Sequence, residues 1–128
     1  MEITETLKRE VWEKGRIVKD FNPEMYRKDA CGAWMVWDKY GVTDNLYGWQ
    51  IDHIYPVNRL KRMNVSDEEI WDIINLRPLQ HQNNVSKADD YPSYTSVVTA
   101  EGNRNIHKES NLVVNEKIRE QLRKFYQL

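Results

Sequence analysis

The stretch YGWQIDHIYPV, residues 47–57, constrains the fold of this chain more than any other. Trp49, Ile51, Ile54, Tyr55 and Val57 favour extended backbone, so the segment reads as a β-strand that Pro56 stops. Inside that strand stands an Asp-His pair, Asp52-His53. Neighbours on a strand point to opposite faces, so the two do not read as a simple ion pair. They read as two members of a site whose other parts come from elsewhere in the chain.

A chain of 128 residues suits one domain with a real core. Hydrophobic residues make up 40%, with five Trp and seven Tyr, which argues against disorder, while 30% charged residues describe a wet surface. The net charge of -1 means that contact with a nucleic acid must use a local basic patch rather than bulk charge. Cys31 is the single cysteine, so neither an internal disulfide nor a cysteine zinc cluster can form, and a reducing cytoplasm is the expected location. No stretch approaches the roughly 20 apolar residues of a membrane span, so no membrane contact is expected.

Residues 3–14 carry Ile3, Leu7 and Val11 at helical spacing, and Gly15 can end that helix. Residues 16–18 suit a short strand. In NPEMY, Asn22 reads as a cap and Pro23 as the first helical position. ACGAWMVW favours extended structure, and KYGVTDNLYG is turn-rich. Ser66 with Glu69 forms a capping box, which predicts a helix over 67–74. Residues 75–79, NLRPL, read as a second strand that Pro78 confines to an edge or bulge. Residues 80–89 fit about two helical turns. Residues 94–100 and 106–114 can pair as a hairpin. NEKIREQLRKFYQ is amphipathic: Asn115 caps it, and Ile118, Leu122 and Phe125 share a face.

Asp52-His53 on one strand, Asn75 opening a second and QNNVSK on a helix together resemble the HNH endonucleases, the ββα-metal finger nucleases. The motif runs from GWQIDHIYP through NLRPLQHQNNVSK, residues 49–87, with weaker likeness in YRKDACGAW and DDYP, about half the chain in all. The resemblance implies that His53 is a general base, whose ordinary pKa near 6.5 keeps it largely neutral at pH 7. It implies that Asp52 and Asn84 hold one divalent ion; two oxygen ligands with water and phosphate suit Mg²⁺ or Mn²⁺. Asn75 would hydrogen-bond across the loop after His53, and Lys87, one turn beyond Asn84, would contact phosphate.

Asn83 competes with Asn84; the family's ligand stands nine residues after Asn75, which selects Asn84. His81 shares Asn84's helical face, as a substitute ligand or as a solvated or substrate-facing residue. His107 reads as ordinary, Cys31 as a small buried residue and the tryptophans as core. Many family members carry histidine where Asn84 stands, and a short Gly-rich turn where this chain has NRLKRMNVSDEEIWDII. Arg59, Lys61 and Arg62 lie in that insertion, and with Arg77 they are candidate phosphate contacts.

The expected architecture is a single α+β domain with a ββα-metal core over about residues 49–89, flanked by an N-terminal helix and a C-terminal hairpin plus helix. The resemblance implies metal-dependent hydrolysis of DNA, with RNA as a second candidate substrate; an inhibitor or immunity protein would accompany a toxin role. The rival reading is an inactive nucleic-acid- or protein-binding module that keeps the same frame.

Overall fold

The computed structural model describes all residues, Met1–Leu128. The chain is α+β. Its elements run α1 (Glu5–Trp12), β1 (Tyr26–Lys28), β2 (Trp34–Val36), β3 (Trp49–His53), α2 (Val57–Arg62), α3 (Asp67–Ile70), β4 (Leu76–Gln80), α4 (His81–Lys87), β5 (Ser93–Glu101), β6 (Arg104–Val113) and α5 (Glu116–Tyr126). The strands pair as three separate antiparallel two-stranded sheets, β1–β2, β3–β4 and β5–β6. No helix is long and apolar enough to cross a membrane.

Local chemistry sets most of these boundaries. The Thr4 side chain caps α1 by accepting from Leu7 N, and Asn115 caps α5 by accepting from Lys117 N and Ile118 N. Ser66 accepts from Glu69 N as the capping box requires, but α3 stops at Ile70 and a 3₁₀ turn over Ile73–Asn75 leads into β4. Asn22 starts a turn rather than a helix: its carbonyl accepts from Met25 N and Tyr26 N, and Tyr26 then pairs with Val36. Residues 16–18 contribute only an isolated bridge, Arg16 opposite Lys28. The opening strand also ends earlier than its apolar pattern suggests, because Pro56 starts α2 and draws Val57 into that helix.

Two apolar clusters hold β3–β4 between them. Val11, Trp12, Met35, Trp49 and Leu76 form one; the Trp12 and Trp49 rings lie 5.1 Å apart, and Trp12 Nε1 donates to Pro23 O. The other joins Ile54, Leu60, Ile70, Tyr94, Val114, Leu122 and Tyr126. Leu60 and Ile70 belong to the long segment between the two site strands, so that segment is core rather than an appended loop. Tyr126, not Phe125, closes the α5 face: its hydroxyl donates to Glu69 O, whereas Phe125 stays exposed. Each fully buried large apolar side chain contributes about 1.5–3 kcal/mol. At the entry to β3, a Cβ on Gly48 would lie 1.9 Å from Val42 O, so only glycine lets the preceding turn fold onto the strand.

Candidate functional site

Strand β3 opposes β4 in a register that sets Asp52 directly across from Arg77 and His53 across from Leu76. Alternation sends Gln50 and Asp52 toward α4 and Trp49 toward α1. Asp52 and His53 make no ion pair with each other. Instead the Asp52 carboxylate, 4% exposed, accepts from Arg77 Nε at 2.9 Å and meets Lys87 Nζ at 3.3 Å. Lys87 is 0% exposed, and its ammonium also donates to His53 O at 3.1 Å. Burial lowers the Lys87 pKa and Asp52 opposes that; burial would also lower Arg77, but Asp52 holds it above its ordinary value.

This geometry corrects the assignment of Arg77 and Lys87 as phosphate contacts. Both side chains are buried and turned onto Asp52, because an uncompensated carboxylate inside the fold would cost several kcal/mol, about 3–5 when a buried pair is broken. Of the three basic residues of the insertion, Lys61 and Arg62 are exposed on α2. Arg59 is half-buried and braces the loop after α4 by donating to Tyr91 O and Asp89 O.

His53 is half-buried against the edge of Trp71, with ring centroids 4.4 Å apart at 86°. Its Nε2 is enclosed without a hydrogen-bond partner, which leaves Nδ1 as the nitrogen able to exchange a proton with water. Burial lowers the His53 pKa, Lys87 adds to the shift, and Asp52 and Asp67 oppose it, so the ring is neutral at pH 7. Asn75 clamps the backbone just beyond: its Oδ1 accepts from Tyr55 N at 2.7 Å, its Nδ2 donates to Tyr55 O, and its own carbonyl accepts from Ile54 N. Asn75 thus fixes the exit from β3 and touches the chain after His53 rather than the ring.

The two adjacent asparagines have different environments. Asn83 is fully buried; Oδ1 accepts from Val97 N and Val98 N, and Nδ2 donates to Asp29 Oδ2 and Val98 O. Its amide is saturated by the fold. Asn84 donates one hydrogen bond, to Gln50 Oε1 at 2.8 Å, which leaves its Oδ1 without a protein donor. A cleft of about 260 Å³ brings together Asp52, His53, Asn84 and Asp89. Ala88, between Lys87 and Asp89, takes a positive φ of 46° that turns the chain back along this cleft.

Asp52, Asn84 and Asp89 line the one cleft and could hold a hard divalent ion through oxygen donors, Asp52 by exchanging a cation that now occupies it. Lys87 Nζ already stands as a positive charge at Asp52 Oδ1, a position suited to a cation. No three His, Cys, Asp or Glu side chains converge, so Asn84 would have to be part of any such ligand set. Asp89 is not among the ligands that the resemblance implies; it opens DDYP, two residues past Lys87. His81 lies elsewhere: it lines a separate cleft with His107, and its Nδ1 is enclosed without a partner. Cys31 is half-buried, and burial pushes its thiol up to about 12, which makes it a poor nucleophile. No protein-family model, curated protein or solved structure matches this chain.

Proposed function

We propose that this chain is a metal-dependent endonuclease that hydrolyses DNA phosphodiester bonds in the Asp52–His53 cleft. The observation that supports it is the convergence on one cleft of a neutral histidine, a carboxylate and an amide oxygen without a protein donor. His53 Nδ1 takes a proton from the water that attacks phosphorus, and the leaving oxygen departs with the cleaved strand. Asp52, Asn84 and Asp89 are the residues that would hold Mg²⁺ or Mn²⁺; such an ion supplies Lewis-acid stabilisation of the phosphate oxygens. Asn75 keeps the chain after His53 in place, and Trp71 sets the ring's orientation. Lys61 and Arg62, exposed on α2 near Pro56 and Val57 of the cleft wall, are the insertion residues free to meet phosphate.

One observation favours the rival reading of an inactive binding module. Asp52 carries one negative charge between two buried cations, so the trio is net positive and resists a further cation. Supercoiled plasmid incubated with the protein in Mg²⁺ or Mn²⁺, with and without chelator, separates the readings. The expected result is chelator-sensitive cleavage that falls by about 10²–10⁴ in His53→Ala, the range for loss of a general base. Metal-supported DNA binding without any cleavage would establish the binding module instead.

A further inference from the structure

Arg77 also lines a larger cavity, about 530 Å³, walled by residues 14–16, the end of β1, the start of β4 and α5. Lys14, Arg16, Lys28 and Arg77 all line it. Arg16 and Lys28 are directly opposed in an antiparallel bridge: Arg16 N donates to Lys28 O at 2.7 Å, and Lys28 N to Arg16 O at 3.0 Å. In a pair that exchanges both bonds, the two side chains stand on one face, with Cα atoms about 5.5 Å apart. Like charges placed this way repel and destabilise the pair.

Arg16 is exposed and Lys28 half-buried. Neither Arg16 nor Lys28 has a carboxylate partner; Lys28 Nζ instead lies 5.0 Å from the centre of the Trp34 ring. Lys14 gives two of its hydrogens to the carbonyls of Ile73 and Leu76, which anchors its charge at the cavity wall. The single carboxylate in the wall is Asp29, 1% exposed, and its oxygens are consumed by Cys31 N, Ala33 N, Gln80 N and Asn83 Nδ2. Gly15 lets the cationic segment pass close over Arg27: a Cβ there would meet Arg27 Cβ at 3.1 Å and Trp12 O at 3.0 Å. The remaining wall includes apolar surface from Ile74, Pro78 and Ile118. The cavity therefore combines two opposed cations without an ion-pair partner, Arg16 and Lys28, with an apolar floor, at a size within the roughly 300–1,000 Å³ of small-molecule pockets; Arg77 is held by Asp52, and Asp72 acts on Lys14.

We propose that this cavity binds a nucleotide unit, its phosphate between Arg16 and Lys28 and its base against Ile74, Pro78 and Ile118. The unit comes from a free nucleotide or from a nucleic-acid strand, and the site needs no cleavage at Asp52. A phosphate there neutralises the opposed pair by charge-assisted hydrogen bonds, Arg16 being the side chain able to grip it with two parallel donors.

The test uses the full chain and the Arg16→Ala/Lys28→Ala variant, with Lys28→Met as a second variant that keeps the stem over Trp34. Removing the opposed charges should leave the thermal melt equal or higher. Deoxyadenosine monophosphate is titrated in one arm, followed by amide chemical shifts. A 12-nucleotide single strand is titrated in the other, with Ca²⁺ in place of Mg²⁺. Tenfold or greater loss of mononucleotide affinity in the double variant, with shifts centred on residues 14–16, 28–30 and 74–78, identifies a free nucleotide. Loss confined to the single strand, with a slope of log affinity on log salt shallower by about 0.7 per phosphate contact removed, identifies a strand. Unchanged binding of both ligands in both variants overturns the site, as does a wild-type protein that binds neither.

Discussion

Asp29 and Asp52 are both buried carboxylates, 1% and 4% exposed, but the protein satisfies them by opposite means. Four neutral N–H groups surround Asp29, drawn from its own turn, the end of β4 and α4. Burial still outweighs those bonds, and the Asp29 pKa is raised. Two cations hold Asp52 instead, one from the facing strand and one from α4. A carboxylate ringed by three backbone donors and one side-chain amide knits three segments together and has no cation to exchange. One paired with two buried cations beside a cleft is the candidate for trading a cation for another, and that difference separates a structural node from a candidate reactive one.

Truncating the two residues should break the comparison open. Asp29→Ala strands the buried Ala33 N and Gln80 N at about 1–3 kcal/mol each and removes one bond each from Cys31 N and Asn83 Nδ2, a large share of the roughly 5–15 kcal/mol that stabilises a small domain. Asp52→Ala leaves Arg77 and Lys87 unpaired and should cost about 3–5 kcal/mol. Lys87→Met added to Asp52→Ala should recover a good part of that loss, while Lys87→Met added to Asp29→Ala should recover none. Urea unfolding of the two double-mutant cycles measures both couplings. Equal rescue in the two backgrounds would erase the distinction.

The adjacent asparagines sharpen the same contrast at smaller amplitude. Asn83→Ala removes the acceptor of Val97 N and Val98 N and should cost about 2–3 kcal/mol. Asn84→Ala removes one partly buried bond and should cost no more than about 1 kcal/mol, with its effect falling on metal binding. Thermal melts in chelator compare the two.

The smallest expected effect is in pH. Since burial lowers the His53 pKa, the acidic limb of cleavage should have its midpoint below the ordinary value near 6.5. The sign for stability follows: the unfolded state protonates this ring first, so His53 costs stability as pH falls through 6.5, and below its folded pKa no further loss occurs. A rate profile with its acidic midpoint above 6.5 would mean that the carboxylates of Asp52 and Asp67 outweigh burial at the ring.

Much of the element order was legible because it rests on local chemistry. The caps at Ser66 and Asn115, the alternation in β3 and the hairpin of β5–β6 all declare themselves within a few residues. What escaped depends on contacts distant in sequence. Nothing near Asn22 shows that Tyr26 will be taken by Val36. Nothing in NRLKR shows that Leu60 will join one core cluster with Leu122 and Tyr126, so the insertion's place in the core is not legible locally. The resemblance supplied the site's residue types and the preference for Asn84, whereas the inward turn of Arg77 and Lys87 is not legible locally, since it is set by the cost of leaving Asp52 buried alone.

The most direct measurement is a calorimetric titration of Mn²⁺ into the wild type, Asn84→Ala and Lys87→Met. If Asp52 is an exchangeable carboxylate in a metal cleft, the wild type binds one ion and Asn84→Ala loses at least tenfold in affinity. Lys87→Met gains about tenfold, the roughly 1.4 kcal/mol expected from removing a competing charge. Failure of Lys87→Met to bind Mn²⁺ at all, or affinity in Asn84→Ala equal to the wild type, would contradict the account.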